Sequence, residues 1–497
     1  MITIRKAICC YVIFVYKRMD MRKVRLVFLC LMLLCMKHGF IFSNYRESDT
    51  ESAGFEGSES EPGGSDTARR IVTAGGQTLL SNFVLMSFNT VINNLTETFP
   101  WATPSLDSMI ENLTHPWKWD DDGFLVNQMG HPYQGGTYFT AGRVNAFGFY
   151  QSLFFSTFGS LTWEAFFERQ RSSINDVWTT VPGAASMGEI LYRLYAQAIN
   201  SGVPPAFAFL INPMAGFHRL VSGGWEPPDY GTSLYRFRTE LGMSYAHSRA
   251  SSENRGRLRP FEGPVFDAGL SIIYGNPFEQ ESRVPFNHFD LALSFGLNPG
   301  NYMDFRIFTD GYLFSFLPIY SSRNKMSTGL SLHMDAVSTG RPEGIYAATI
   351  NMYSNALNWT IKYQHLFPTG SNVQVKFHAG FTFFGASRFY CPYYLTDHNN
   401  FGGGLNGKLF LNLNHRRLGS LEMSVFAYTM WSYPVASAIA HGTVFWLFND
   451  IAYFFPITNR MSLGLAHSFA LERGMFDNIP DIEKTNRAAR VFMAWNF

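Results

Sequence analysis

From about residue 235 to its C-terminus the chain alternates apolar and polar residues in runs of ten or more. That period of two admits only strands with two unlike faces. Val373, Val375, Phe377, Ala379, Phe381 and Phe383 make one register of such a run, and Gln374, Lys376, His378 and Thr382 make the other. Phe410, Asn412 and Asn414 interleave with Leu411 and Leu413 in the same way. The connections alternate too. Tight turns are predicted near 368–371, 415–419 and 456–459, and long polar loops at 249–262, 387–400 and 472–485. Short turns at one end and long loops at the other are the pattern of an antiparallel barrel that crosses a bilayer. Segments 302–320 and 345–367 each read as one long strand or as a hairpin, so the strand count is twelve or fourteen, both even; twelve is preferred.

Composition agrees. Aromatic residues make up 16% of the 497 residues and charged residues only 15%, against about a quarter charged in an average soluble protein. The mean hydropathy of -0.05 is too low for a bundle of membrane helices. A lipid-embedded barrel combines these properties. The formal net charge of +1 lacks the basic excess of a nucleic-acid binder, so no nucleic-acid partner is expected. The segment from Ala489 to Phe497 ends on an aromatic residue and resembles the strand that outer-membrane barrels present to their assembly machinery. Outer-membrane lipid and that machinery are therefore the expected partners. Trp431, Tyr433, Trp446 and Tyr453 are expected in the interfacial girdles, and a soluble β-sandwich is the rival architecture.

At the other end, Arg22, Lys23 and Arg25 precede an apolar stretch over 26–36 and a plausible cleavage point near 41–43. The stretch falls short of the about 20 apolar residues of a spanning helix and reads as a signal peptide starting at Met21. Bulky Leu29 and Leu34 before Cys30 and Cys35 disfavour a lipoprotein. Cys9 and Cys10 also lie in the leader, which leaves Cys391 and no internal disulfide. The expected organisation is a leader over 1–43, a disordered tether over 44–69, a partly helical domain over 70–233 and the barrel over 234–497.

In the helical domain, 77–97 and 186–198 read as helices, and Thr103 or Ser105 as the cap of another. Glu189 and Arg193 stand one turn apart in the favourable order. His131-Pro132 before Gly135-Gly136 fits a turn, and Asn175-Asp176 a helix cap. Polar residues are dense here. The text N-Q-M-G-H-P-Y-Q-G-G-T-Y-F, then G-S-L-T-W-E, N-D-V-W-T-T, G-E-I-L-Y-R and N-P-M-A-G-F, resembles the domain of unknown function 3943 family over 117–219. The resemblance implies an envelope location and no particular reaction.

His131 is the candidate general base, because imidazole titrates near neutrality. Glu164, Glu168, Asp176 and Glu189 are candidate acidic partners, and Ser160 a candidate nucleophile, for a hydrolase acting on lipid or an envelope polymer. No G-x-S-x-G or H-E-x-x-H motif supports that chemistry. His131 has only His115 nearby in sequence, so no metal site and no cofactor are expected. Asn127, Arg143, Asn175, Arg193 and Arg219 read as a structural or ligand-binding network, with Arg143, Glu164, Glu189 and Arg193 as buried ion pairs. The His-x-Ser spacing of the outer-membrane phospholipase is absent. The reading is an outer-membrane barrel with a structural or transport role, its N-terminal domain plugging or capping the lumen. A hydrolase and a surface binder working through long loops are the alternatives.

Overall fold

The computed structural model describes residues 64–96, 103–120, 122–252, 260–299, 302–340, 349–391, 396–434, 441–477 and 479–497. The leader and most of the tether lie outside these. The chain divides into two compact units, one holding residues up to Lys118 together with His131–Asp229, the other Trp119–Gly130 together with Tyr230–Phe497.

The first unit contains helices α1 (Gly64–Thr96), α2 (Leu106–Thr114), α3 (His131–Val144), α4 (Phe149–Thr162), α5 (Ile174–Asn200), α6 (Pro205–Ile211) and α7 (Pro213–Val221). A wide π-helical turn, Trp163–Phe167, continues α4. Ser105 caps α2: its hydroxyl accepts from the Ser108 N–H while the Ser108 side chain accepts from the Ser105 N–H. Helix α1 starts inside the stretch expected to be a tether. Helix α5 starts at Ile174 rather than Ser186 and carries Pro182 in its interior, the residue that hides its first half from a sequence reading.

The turn expected at His131–Gly136 is instead the opening of α3, and its glycines serve packing. A Cβ on Gly135 would lie 2.6 Å from the Thr180 carbonyl oxygen and 2.9 Å from the Ala184 Cβ, and one on Gly136 3.3 Å from Gly188 Cα. Only hydrogen at these positions lets α3 and α5 touch backbone to backbone.

The second unit is a closed antiparallel barrel of twelve strands: β1 (Leu234–Ser252), β2 (Phe261–Tyr274), β3 (Phe289–Asn298), β4 (Tyr302–Tyr320), β5 (Asn324–Gly340), β6 (Ile350–Leu366), β7 (Asn372–Cys391), β8 (Thr396–His415), β9 (Gly419–Ser432), β10 (Gly442–Pro456), β11 (Met461–Phe476) and β12 (Ile482–Asn496). Each strand pairs with its sequence neighbours, and β12 closes on β1 with Leu241 opposite Met493. The Phe497 N–H donates to Phe237 O at 2.9 Å, so the terminal aromatic residue completes the seam. Segments 302–320 and 350–366 are single strands, which settles the count at twelve.

The alternation does what its period demands. Phe377, Phe381, Leu405, Leu409, Met243, Tyr245, Leu465 and Val491 are exposed on the outer surface, while Lys376, His378, Thr382, Lys408, Ser244, Asn486 and Phe492 face inward. The strands run further than the sequence implied. Ser387 pairs with Asn400 and Arg249 with Thr485 inside stretches read as loops, because the backbone ladder holds polar residues as readily as apolar ones. Trp431 and Tyr453 are exposed as expected of girdle residues. Trp446 is not: it is buried inside the barrel with Val444, Phe448, Met430 and Phe389, since its place in the β10 alternation points inward.

Candidate functional site

The helical unit brings His131, Glu164 and Asp176 together, with one potential ligand atom from each lying within 4.8 Å of the others and all three residues buried. They come from three places: the first residue of α3, the π turn after α4, and the first turn of α5. An acid in the first turn of a helix is favoured by its dipole, which accounts for Asp176 locally. His131 Nε2 lies 3.6 Å from Asp176 Oδ2, and Thr180 Oγ1 lies 3.4 Å from His131 Nδ1. Thr180 stands one helical turn beyond Asp176, a spacing from which the sequence could have nominated it.

Hydrogen bonds hold the acids in place. The Ser173 N–H donates to Glu164 Oε2 at 2.7 Å, and Asn175 Nδ2 donates to Asp176 Oδ1 at 2.9 Å. The Ser173 hydroxyl donates to Asn175 Oδ1 at 2.8 Å, and Asn112 Nδ2 donates to the Glu164 and Glu168 carbonyls at 3.0 and 3.1 Å. Asn175 is therefore a support for Asp176, not the cap of α5. The Glu168 carboxylate accepts from Trp163 Nε1 at 3.1 Å. The Ser160 hydroxyl is buried and makes no hydrogen bond among the described residues.

Glu189 lies elsewhere, about 20 Å further along α5 at 1.5 Å per residue. It accepts from Arg193 Nε at 2.8 Å and pairs with Arg143 Nε at 2.9 Å. The i,i+4 pair read from the sequence thus belongs to a buried Arg–Glu–Arg triad, separate from Glu164. Asn127 Nδ2 donates to Asp120 Oδ1 at 2.9 Å within the barrel unit. There Asp122 O also accepts from Arg388 Nη1 at 2.7 Å and Asn399 Nδ2 at 2.8 Å. Arg219 pairs with Glu226 at 2.6 Å. Burial lowers the His218 pKa, and Gln77 Nε2 lies 2.9 Å from its Nδ1. Burial also raises the Tyr138 hydroxyl well above its usual value.

The barrel lumen holds a second array. Lys362 Nζ pairs with Asp310 at 2.7 Å and Asp290 at 3.3 Å, and Lys376 also pairs with Asp290. Arg238 meets Glu422 at 2.8 Å, Arg306 meets Asp450 at 3.4 Å, and Lys408 pairs with Asp335. Ser331 and His333 also touch, Oγ to Nε2 at 2.8 Å, a Ser-x-His spacing that the sequence reading passed over. Lys408 Nζ lies 2.9 Å from His333 Nδ1. An ammonium only donates, so Nδ1 accepts, and the ring proton sits on Nε2 and is given to Ser331. His333 in that state cannot take the serine proton.

Residues 116–214 match the family model described as a domain of unknown function (DUF3943). His131, Glu164, Asp176 and the Arg143–Glu189–Arg193 triad all fall inside this DUF3943 region, whose description carries no reaction. No curated protein matches the chain. Similar solved structures include the monoaromatic hydrocarbon channel CymD, at 8% identity and TM-score 0.21 over 53% of this chain and 88% of that one. They include the NanC porin, at 7% identity and TM-score 0.24 over 51% and 98%. A third is the translocator domain of the autotransporter NalP from Neisseria meningitidis, at 11% identity and TM-score 0.24 over 53% and 88%.

Proposed function

We propose that the chain is an outer-membrane protein of the bacterial envelope whose barrel has a structural role, as a closed anchor for the DUF3943 region. The observation that supports this is the crossing of the lumen by the strands' own side chains. Strand β6 comes within 8 Å, Cα to Cα, of both β11 and β12, which are not its neighbours in the sheet. Glu472 on β11 accepts from the Asn351 N–H at 3.3 Å, and Lys484 on β12 donates to Thr349 O at 2.7 Å. An apolar cluster that includes Ile350, Met352, Trp446 and Ile482 fills the space beside them. Ion pairs from non-adjacent strands cross the rest. The outward apolar surface supports insertion in a bilayer, where closure leaves no strand edge unpaired.

A second reading, transport with the helical region as plug or cap, is favoured by a cavity of about 300 Å³ within the barrel, lined by Arg238, Glu240, Asp290, Arg306, Lys376 and Glu422 among others. Conductance of the full chain in planar lipid bilayers separates the two. The closed anchor gives no steady current, and the double substitution Lys362→Ala, Lys408→Ala produces openings. A steady ohmic current from the unaltered protein overturns the closed reading in favour of transport.

A further inference from the structure

We propose that His131, Glu164 and Asp176 form a site for one divalent first-row metal ion, with Zn²⁺ or Mn²⁺ the best matched. The inference is independent of the barrel's role and stands or falls separately from it.

Three donors of ligand type converge from three elements that are remote in sequence. An ion with bonds of about 2.0–2.2 Å sets its neighbouring ligand atoms about 3.0–3.6 Å apart. The His131 Nε2 to Asp176 Oδ2 distance of 3.6 Å already meets that, and the 4.8 Å limit on the whole group leaves a contraction of at most about 1 Å to make. Small side-chain rotations supply it.

Charge argues the same way. Glu164 is 1% exposed, Asp176 1% and His131 9%. Two carboxylates buried side by side disfavour each other's ionised form, and a dication at their centre removes that cost. The surrounding hydrogen bonds are those of an oriented ligand set. Ser173 N–H holds Glu164 through Oε2 and Asn175 holds Asp176 through Oδ1, which turns Asp176 Oδ2 toward the imidazole. Thr180 stands at His131 Nδ1, leaving Nε2 as the coordinating nitrogen.

The donor chemistry selects the ion. With no thiolate in the group, soft ions such as Cu(I) are poorly served. Calcium wants six to eight oxygen ligands, and magnesium holds its waters with few protein ligands. One imidazole with two carboxylates suits zinc, manganese or ferrous iron. Three protein ligands leave a coordination position for water, the arrangement of a reactive rather than a closed structural site.

The test uses the full chain in detergent, stripped by chelator dialysis and then titrated with Zn²⁺, Mn²⁺ or Co²⁺. We expect about one ion per chain, a visible Co²⁺ absorption band, and an upward shift in the unfolding temperature of the helical unit. Asp176→Asn, Glu164→Gln and His131→Gln should each weaken binding at least tenfold. Thr180→Val, which keeps volume and only removes the contact at Nδ1, should weaken it by a smaller factor, so the outcome does not hang on variants that lose a ligand. The heat-dependent gel mobility of the barrel checks folding in every case. Fewer than about one ion in ten chains on well-folded protein at saturating metal, or unchanged binding by a variant that combines Asp176→Asn, Glu164→Gln and His131→Gln, would overturn the site.

Discussion

Both units of this protein bury charge, and they do so on different terms. In the barrel lumen lysines and arginines face aspartates and glutamates from other strands: Lys408 with Asp335, Lys362 with Asp310, Arg238 with Glu422. In the helical unit the Glu189 end of α5 follows the same rule, with two arginines on one carboxylate. The Asp176 end is composed differently. It gathers two carboxylates and one imidazole. Charges matched to one another brace a structure, because removing one partner strands the other in a dry interior. Two carboxylates and an imidazole are the donor set of the metal site proposed above, and that contrast separates the frame of this molecule from its candidate centre.

The largest effect is expected from Glu189→Ala. The buried Arg193 and the partly buried Arg143 would lose the carboxylate they share, and a loss on the order of 5 kcal/mol is expected in the stability of the helical unit. Thermal unfolding and limited proteolysis measure it; an unchanged unfolding temperature would remove the triad from the frame. Asp335→Ala comes next, leaving Lys408 buried in the lumen at a cost of about 3 kcal/mol. It should lower the temperature at which gel mobility shifts, and if it does not, the lumen charges are not braces.

Gly135→Ala should cost about 2 kcal/mol, because the new methyl meets the Thr180 carbonyl at 2.6 Å and must push α3 from α5. As that contact also sets His131 against Thr180, metal affinity should fall with it, and affinity unchanged alongside lost stability would uncouple the packing from the site. The smallest effect concerns pH. Burial lowers the His218 pKa, so the folded state favours the neutral ring. The unfolded chain then binds the proton more readily, and the stability from neutral His218 is present above about pH 6.5 and lost as pH falls toward the folded pKa. Unfolding temperatures measured between pH 7.5 and 5.5 should decline, with a shallower slope in His218→Gln. Equal slopes would show that another group carries the dependence.

Legibility in the sequence followed the range of the interactions. The alternation of Val373 to Phe383 predicts a strand and its two faces, because side chains alternate wherever backbone is extended. The Glu189–Arg193 pair was readable because one helical turn brings the two together. Ser105 was readable as a cap for the same local reason. By contrast Pro182 and the Gly135-Gly136 pair misdirect. Locally they signal a break and a turn, yet helix packing overrides both, and the glycines exist for a contact with residues far along the chain. Trp446 misled similarly, since an aromatic residue near a strand end suits the girdle until its register turns it inward.

What the sequence determined by itself is the barrel, its even strand number and its inside and outside, because period, turn chemistry and alternation are properties of neighbouring residues. Only the tertiary structure brings β6 to β11 and β12 across the lumen and sets His131, Glu164 and Asp176 side by side. Those contacts join segments that no local rule relates. They form only when burial of the surrounding apolar surface supplies the free energy to bring distant charged groups out of water together.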